Sequence, residues 1–227
     1  MSEQARPITP DRVRHYIEHT ALNPDTTKER ILGLCQEARD HGFKAACVAP
    51  VWVATAAQAL DGSGVRVVSV VGFPHGDNLS AVKAYEAKEA IAAGVQELDM
   101  VMAIGLLKSR QPGAVIDDIR GVVETARPRG VIVKVILETG LLSEQEIVTA
   151  CEAARRADAD FVKTSTGFGP GGATIEAVRL MRRAVGDELG VKAAGGIRTL
   201  SAALAMIRAG ASRLGCSSSV SIMREVG

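Results

Sequence analysis

Short runs of buried-type residues, rich in Val, Ile and Ala, alternate along this chain with longer segments whose apolar positions recur at helical spacing. The short runs are "YIEHTAL", "KAACVA", "VRVVSVVG", "VQELDMVM", "GVIVKVILE", "DFVKTS", "GVKAAGG" and "ASRLG". Between them stand segments such as "TTKERILGLCQEARDHG", "NLSAVKAYEAKEAIAAG", "SEQEIVTACEAARRAD" and "TLSAALAMIRAG", which begin at Ser, Thr, Asp or Pro and end near Gly. A continuous apolar run is what a strand buried on both faces looks like, and strict alternation with helices implies parallel pairing. Eight strands with eight crossovers predict a closed α/β barrel of the TIM (β/α)8 type, formed by one domain over residues 1–227. An open doubly wound sheet is the alternative. No linker, low-complexity tract or charge block divides the chain.

Composition narrows the partners. The chain has 227 residues, 47% hydrophobic and 3% aromatic, and its 27 basic and 26 acidic residues leave a net charge of +1. That balance gives no global field to attract nucleic acid or an anionic membrane, so any anionic ligand must be held locally. Cys35, Cys47, Cys151 and Cys216 follow neither zinc-site nor compact disulfide spacing and are expected to be reduced thiols. The polar start "MSEQARPITPDR" has no leader-like apolar stretch, and no later segment reaches membrane-spanning length without a charge. A soluble cytoplasmic protein is expected.

Three lysines carry the chemistry. Lys134 in "VIVKVILE", Lys163 in "DFVKTS" and Lys192 in "GVKAAGG" stand 29 residues apart, about one strand-helix unit, which predicts comparable positions on three successive strands facing one interior. One such lysine could snorkel from a strand end to water or pair with a carboxylate. Three crowded in a partly desolvated barrel favour a neutral amine on at least one, and a neutral amine attacks carbonyls. The glycines offer two further readings. "GFGPGG" matches the dinucleotide pattern G-x-G-x-x-G, but the strand after it ends "VKAAGG" with no acidic residue for a ribose. "AAGGIRT" and "LGCSSSV" follow the seventh and eighth strands, where barrel loops bind phosphate through backbone N–H groups. The plainer alternative is that Gly195, Gly196 and Gly215 make tight turns while Ser217 and Ser218 cap the last helix.

The order and spacing of "HTALNP", "CVAP", "VVGFPHG", "LDMV", "KVILETG", "FVKTSTGF", "VKAAGGIRT" and "LGCSS" resemble the deoxyribose-phosphate aldolase family from about residue 10 onward. The resemblance implies a class I aldolase that reversibly cleaves 2-deoxy-D-ribose 5-phosphate to D-glyceraldehyde 3-phosphate and acetaldehyde through a lysine Schiff base, with no metal and no other cofactor. It implies that Lys163 forms the imine, that Lys192 is the ammonium perturbing it, and that Asp99 is the acid/base residue. Phosphate contacts carry over to Gly167, Gly195, Gly196, Ile197, Arg198, Gly215, Ser217 and Ser218. Cys47, Lys134 and Thr166 are expected beside the site, with a structural role open for Cys47 and Lys134, while His19 and His75 are assigned no catalytic part. A small sugar phosphate is the expected partner, in a homodimer or higher homo-oligomer. Another Schiff-base barrel aldolase, or a phosphate-binding barrel without catalysis, is the rival reading. The chain departs from the family pattern at Ala103, at Gly169-Pro170 and at Ser219, and it ends "SIMREVG" without the tyrosine-ended tail of some members, so turnover is expected to differ.

Overall fold

The computed structural model describes residues 9–226; the polar residues 1–8, on which the expectation of no leader rests, and Gly227 lie outside the described residues. Its elements in chain order are β1 (Ile17–Ala21), α1 (Lys28–His41), β2 (Ala45–Val48), α2 (Val53–Leu60), β3 (Arg66–Val71), α3 (Ser80–Ala92), β4 (Glu97–Val101), α4 (Ile104–Lys108), α5 (Pro112–Ala126), β5 (Ile132–Ile136), α6 (Glu144–Arg156), β6 (Phe161–Lys163), α7 (Ile175–Val185), β7 (Gly190–Ala194), α8 (Leu200–Arg208), β8 (Arg213–Cys216) and α9 (Ser219–Arg224). All eight strands are parallel and close in sequence order, β1 pairing with both β2 and β8. Each expected run became a strand, and the open-sheet alternative is excluded by closure. No helix among the described residues is long and apolar enough to cross a membrane.

Four helices that leave the C-terminal rim of the barrel begin at a hydroxyl cap. Thr27, Ser143, Thr174 and Thr199 each accept a backbone N–H from the first turn of α1, α6, α7 and α8, and Ser143 with Glu146 completes a capping box. These caps fix where each strand-to-helix loop ends, and so shape the rim where barrel enzymes hold their ligands. The main hydrophobic core lies outside the strands, where residues such as Leu98, Val135, Val162, Val191 and Leu214 pack against the helix ring.

The barrel interior is divided. On the β2–β3 side it is apolar, built from Ala45, Cys47, Val68 and Val70. On the other side it holds Glu18 of β1, Glu97 and Asp99 of β4, Lys134 of β5, Lys163 of β6 and Lys192 of β7, each 3% exposed or less. Barrel interiors are ordinarily filled with branched apolar side chains, so a charged half has to be explained by chemistry. Register refines the expectation for the lysines. Lys163 lies opposite Lys192, but Lys134 lies opposite Phe161 and Asp99, two residues further down β6 than Lys163. Equal spacing in sequence therefore gave one level for two lysines and a deeper level for the third, because strands in a closed barrel are staggered.

Candidate active site

Asp99 is the hub of the charged half. Its Oδ2 accepts from Lys163 Nζ at 2.8 Å and from Lys192 Nζ at 2.6 Å, and its Oδ1 accepts from Lys134 Nζ at 3.0 Å. Lys192 also pairs closely with Glu18. Below this level Lys134 reaches Glu97 at 2.7 Å and Glu18 at 3.5 Å, and Arg213 lies 3.5 Å from Glu18. Among the described residues the network holds Lys134, Lys163 and Lys192, with Arg213 and the half-buried Arg66 at its lower edge, against Glu18, Glu97 and Asp99. Cations outnumber carboxylates there, so a neutral Lys163 is the less costly state in a dry interior.

The titration directions agree with that choice. Burial pushes the Lys163 amine below the ordinary lysine range; Asp99 opposes the shift and the Lys192 ammonium reinforces it. Burial acts on Lys192 and Lys134 in the same sense, but Asp99 and Glu18 outweigh it and hold both above the ordinary range, fully protonated. Burial alone would raise the Asp99 carboxyl, yet the three lysines hold it well below the usual carboxylate range. The reactivity expected of crowded like charges is therefore present on one lysine only, and its first cause is burial, with Lys192 in support.

A cavity of about 370 Å³ opens above this network at the C-terminal rim, and of the three barrel lysines only Lys163 lines it. Its walls come from the end of β1 and the loop after it (Thr20, Ala21, Leu22, Asn23, Thr26), the loop after β6 (Thr166, Gly167, Phe168), the loop after β7 (Gly195, Gly196, Ile197, Arg198) and the end of β8 with the residue after it (Gly215, Cys216, Ser217). Seven of the eight expected phosphate residues face this one space; Ser218 stands next to it as the first residue before α9. The Ser218 side chain makes no cap bond to α9, so the plain capping role does not hold for it. Gly215 has a second duty, since a Cβ there would sit 3.1 Å from Cε of Lys192. The dinucleotide reading of "GFGPGG" fails: the stretch is a rim loop of a closed barrel, and α7 begins only at Ile175.

Other residues escaped the sequence reading. Glu18 and Glu97 were legible in principle as acids inside predicted strands, Glu97 two positions from Asp99 and so on the same face. Glu138 was not. It follows β5 in a left-handed conformation, φ 57°, and its Oε2 accepts from Thr166 N–H at 3.1 Å and Thr166 Oγ1 at 2.5 Å. Thr166 Oγ1 in turn accepts from Phe168 N–H at 3.1 Å, so Glu138 pins the loop that follows Lys163. Strained backbone of this kind persists where surrounding structure holds it for use. The departure at Gly169 belongs to the same device, because a Cβ there would lie 2.8 Å from the Glu138 carboxyl carbon. Gly169→Ala is expected to displace that carboxylate, lower stability by about 1–3 kcal/mol and raise KM through the loosened Thr166–Gly167 loop. Thermal unfolding and steady-state kinetics check it, and an unchanged KM would mean that the loop is held by other contacts.

Cys47 is fully buried in the apolar half, and burial pushes its thiol up to about 11, so it is a packed thiol at neutral pH. All four cysteines are free and buried, as expected. Ala103 leads into α4, where its backbone N–H is bound by Asp118 Oδ2 at 3.0 Å, and its side chain takes no part in the lysine network.

Known proteins resemble this chain in sequence and fold. The family model for DeoC/LacD family aldolases matches residues 13–224. The deoxyribose-phosphate aldolase of Natranaerobius thermophilus is 53% identical over 218 residues, covering 96% of this chain and 99% of that protein. Deoxyribose-phosphate aldolase 1 of Bacillus licheniformis is 52% identical over 213 residues, covering 94% and 95% of the two chains. Among solved structures, the deoxyribose phosphate aldolase of Aeropyrum pernix, described as tetrameric, superposes with a TM-score of 0.90 at 36% identity and covers 96% of this chain and 92% of its own. With a buried lysine at the mouth of a rim cavity and a match over nearly its whole described length, the chain belongs to the DeoC/LacD family of aldolases.

Proposed function

We propose that this protein is a deoxyribose-phosphate aldolase, a single-domain lyase that reversibly cleaves 2-deoxy-D-ribose 5-phosphate through an imine on Lys163. The observation that carries the reading is the placement of Lys163. It is the one barrel lysine that lines the cavity, its pKa is depressed, and it lies 2.8 Å from the Asp99 carboxylate. The neutral amine adds to C1 of the open-chain sugar, and with one proton taken up from solvent the C1 oxygen leaves as water and a protonated imine remains, that proton being released again when the last iminium is hydrolysed. Asp99, coupled to Lys192, accepts the proton of the C3 hydroxyl directly or through water. As that proton leaves, C3 becomes a carbonyl, the C2–C3 bond breaks and its electron pair runs into the iminium nitrogen. D-Glyceraldehyde 3-phosphate departs, and an enamine remains on Lys163. Protonation at C2, with the proton returned by the same network, and hydrolysis of the resulting iminium release acetaldehyde and restore the amine. The glycine loops after β7 and β8, with Arg198, hold the phosphate end.

The net charge of +1 leaves nothing to hold nucleic acid or a membrane, so the partner is the small sugar phosphate, and a cytoplasmic location suits that substrate. The tetramer described for the Aeropyrum pernix relative supports a homodimer or higher homo-oligomer here. Borohydride added with deoxyribose 5-phosphate is expected to inactivate the enzyme and leave a reduced adduct on Lys163, read by peptide mass spectrometry. An adduct mainly on Lys134 or Lys192 overturns the assignment, and the absence of any adduct from a protein that binds the sugar phosphate favours a barrel without catalysis.

A further inference from the structure

We propose that Arg30 is a second cationic contact for the phosphate monoester of the substrate, lining the same cavity as Arg198. The inference rests on the function proposed above. A phosphate monoester carries a charge of about −1.5 to −2 at neutral pH, so backbone N–H groups and one guanidinium leave part of it unmatched. Among the described residues, the cations that line the cavity apart from Lys163 are Arg30 and Arg198. Arg30 sits in the first turn of α1, on the wall that includes Asn23 and Thr26, whereas Gly195, Gly196, Arg198 and Ser217 come from the loops after β7 and β8.

The guanidinium is held in place. Arg30 Nη1 donates to Glu37 Oε2 at 2.9 Å, which engages one of its five N–H donors. The same oxygen lies 2.7 Å from Nε2 of His19, which is 1% exposed. His19 Nδ1 is 2.9 Å from Oγ of the fully buried Ser219, and that hydroxyl donates to Cys216 O at 2.9 Å. Arg30 is thus tied through Glu37 and two buried side chains to the end of β8, the segment that bears Ser217. This gives Ser219, where the chain departs from its family's pattern, a definite task, and it gives the buried His19 a positioning role outside the chemical step. A guanidinium that lines a cavity, with one of its five donors engaged by a carboxylate, is suited to an oxyanion.

The test compares Arg30→Gln and Arg30→Lys with the parent in two assays. Calorimetric titration with inorganic phosphate reads the anion site alone, and steady-state kinetics use deoxyribose 5-phosphate and unphosphorylated deoxyribose in parallel. Arg30→Gln is expected to weaken phosphate binding and raise KM for the phosphorylated sugar about tenfold, the loss of a hydrogen bond to a charged group. For unphosphorylated deoxyribose kcat/KM should fall less than about twofold, and Arg30→Lys should recover part of the phosphate affinity. No change in phosphate binding, or an equal fall on both sugars, overturns the proposal. If the parent itself fails to cleave deoxyribose 5-phosphate, the functional reading falls, and the phosphate titration still decides the role of Arg30.

Discussion

Replacing Lys163 by Leu is expected to reduce cleavage of deoxyribose 5-phosphate by about four to six orders of magnitude, since among the described residues no other amine lines the cavity to form the imine. The same substitution should leave the fold almost intact. Asp99 keeps Lys192 at 2.6 Å and Lys134 at 3.0 Å, and the side chain that is lost is the one whose charge the barrel disfavours. Lys163 titrates below its ordinary range in the folded protein, so at pH values between the folded and unfolded pKa the unfolded chain binds the extra proton, and this lysine opposes folding as the pH falls through that window. A shorter apolar side chain removes that penalty at the expense of one hydrogen bond to Asp99. The net change in stability should stay within about 1.5 kcal/mol. Single-turnover kinetics and thermal unfolding on the same sample measure both quantities. A variant that keeps more than a few per cent of parent activity, or that unfolds as readily as one with a stranded charge, removes Lys163 from its assigned role.

Periodicity made the barrel readable because each strand is buried on both faces and each helix on one, and those patterns differ residue by residue. "VIVKVILE" and "DFVKTS" also announced their lysines, since an ammonium inside an apolar run has no ordinary packing reason. What could not be read was how those charges are balanced. The stagger of β5 against β6 lowers Lys134 to the level of Asp99 and Phe161, and closure brings Glu18 of β1 against Lys192 of β7, 174 residues away. Neither relation has a local signature. The loops that line the cavity were legible through their glycines, but Gly215 also makes room for the Lys192 stem and Gly169 for the Glu138 carboxylate. In both cases the reason for the missing side chain is a residue remote in sequence. Glu138 stayed hidden because it lies past the end of β5 in a loop, where no hydrophobic pattern reports which way a carboxylate turns.

Lys192→Leu should show the opposite combination, a large loss of activity together with a large loss of stability. Asp99 and Glu18 are fully buried and both pair with Lys192, so the apolar variant strands negative charge in a dry interior, and removing one partner of such a network lowers stability by about 3–5 kcal/mol. Lys192 titrates above its ordinary range, so its contribution is fully present below the unfolded pKa of about 10.4 and is lost only as the pH rises through the higher folded value. The Lys192 contribution itself should therefore be constant from about pH 6 to 9, and the deficit of the variant should change there only as Lys163 titrates, growing as the pH rises through the window in which the parent's Lys163 is neutral and the variant's is still charged. Activity should behave otherwise. With the Lys192 ammonium gone, Lys163 faces Asp99 without the neighbouring positive charge that helped to depress it, its titration moves upward, and less neutral amine is present at pH 7. A fall of about two to three orders of magnitude is expected at neutral pH, narrowing steadily as the pH is raised and Lys163 loses its proton. Lys192→Arg should restore part of both quantities, because it returns the charge; its planar guanidinium, however, must fit where the lysine stem leaves so little room beside Gly215. The pH dependence of borohydride trapping, measured beside chemical denaturation over the same range, separates the two effects. An activity deficit that does not change with pH would show that Lys192 serves as a proton carrier or a strut, and that burial alone prepares Lys163.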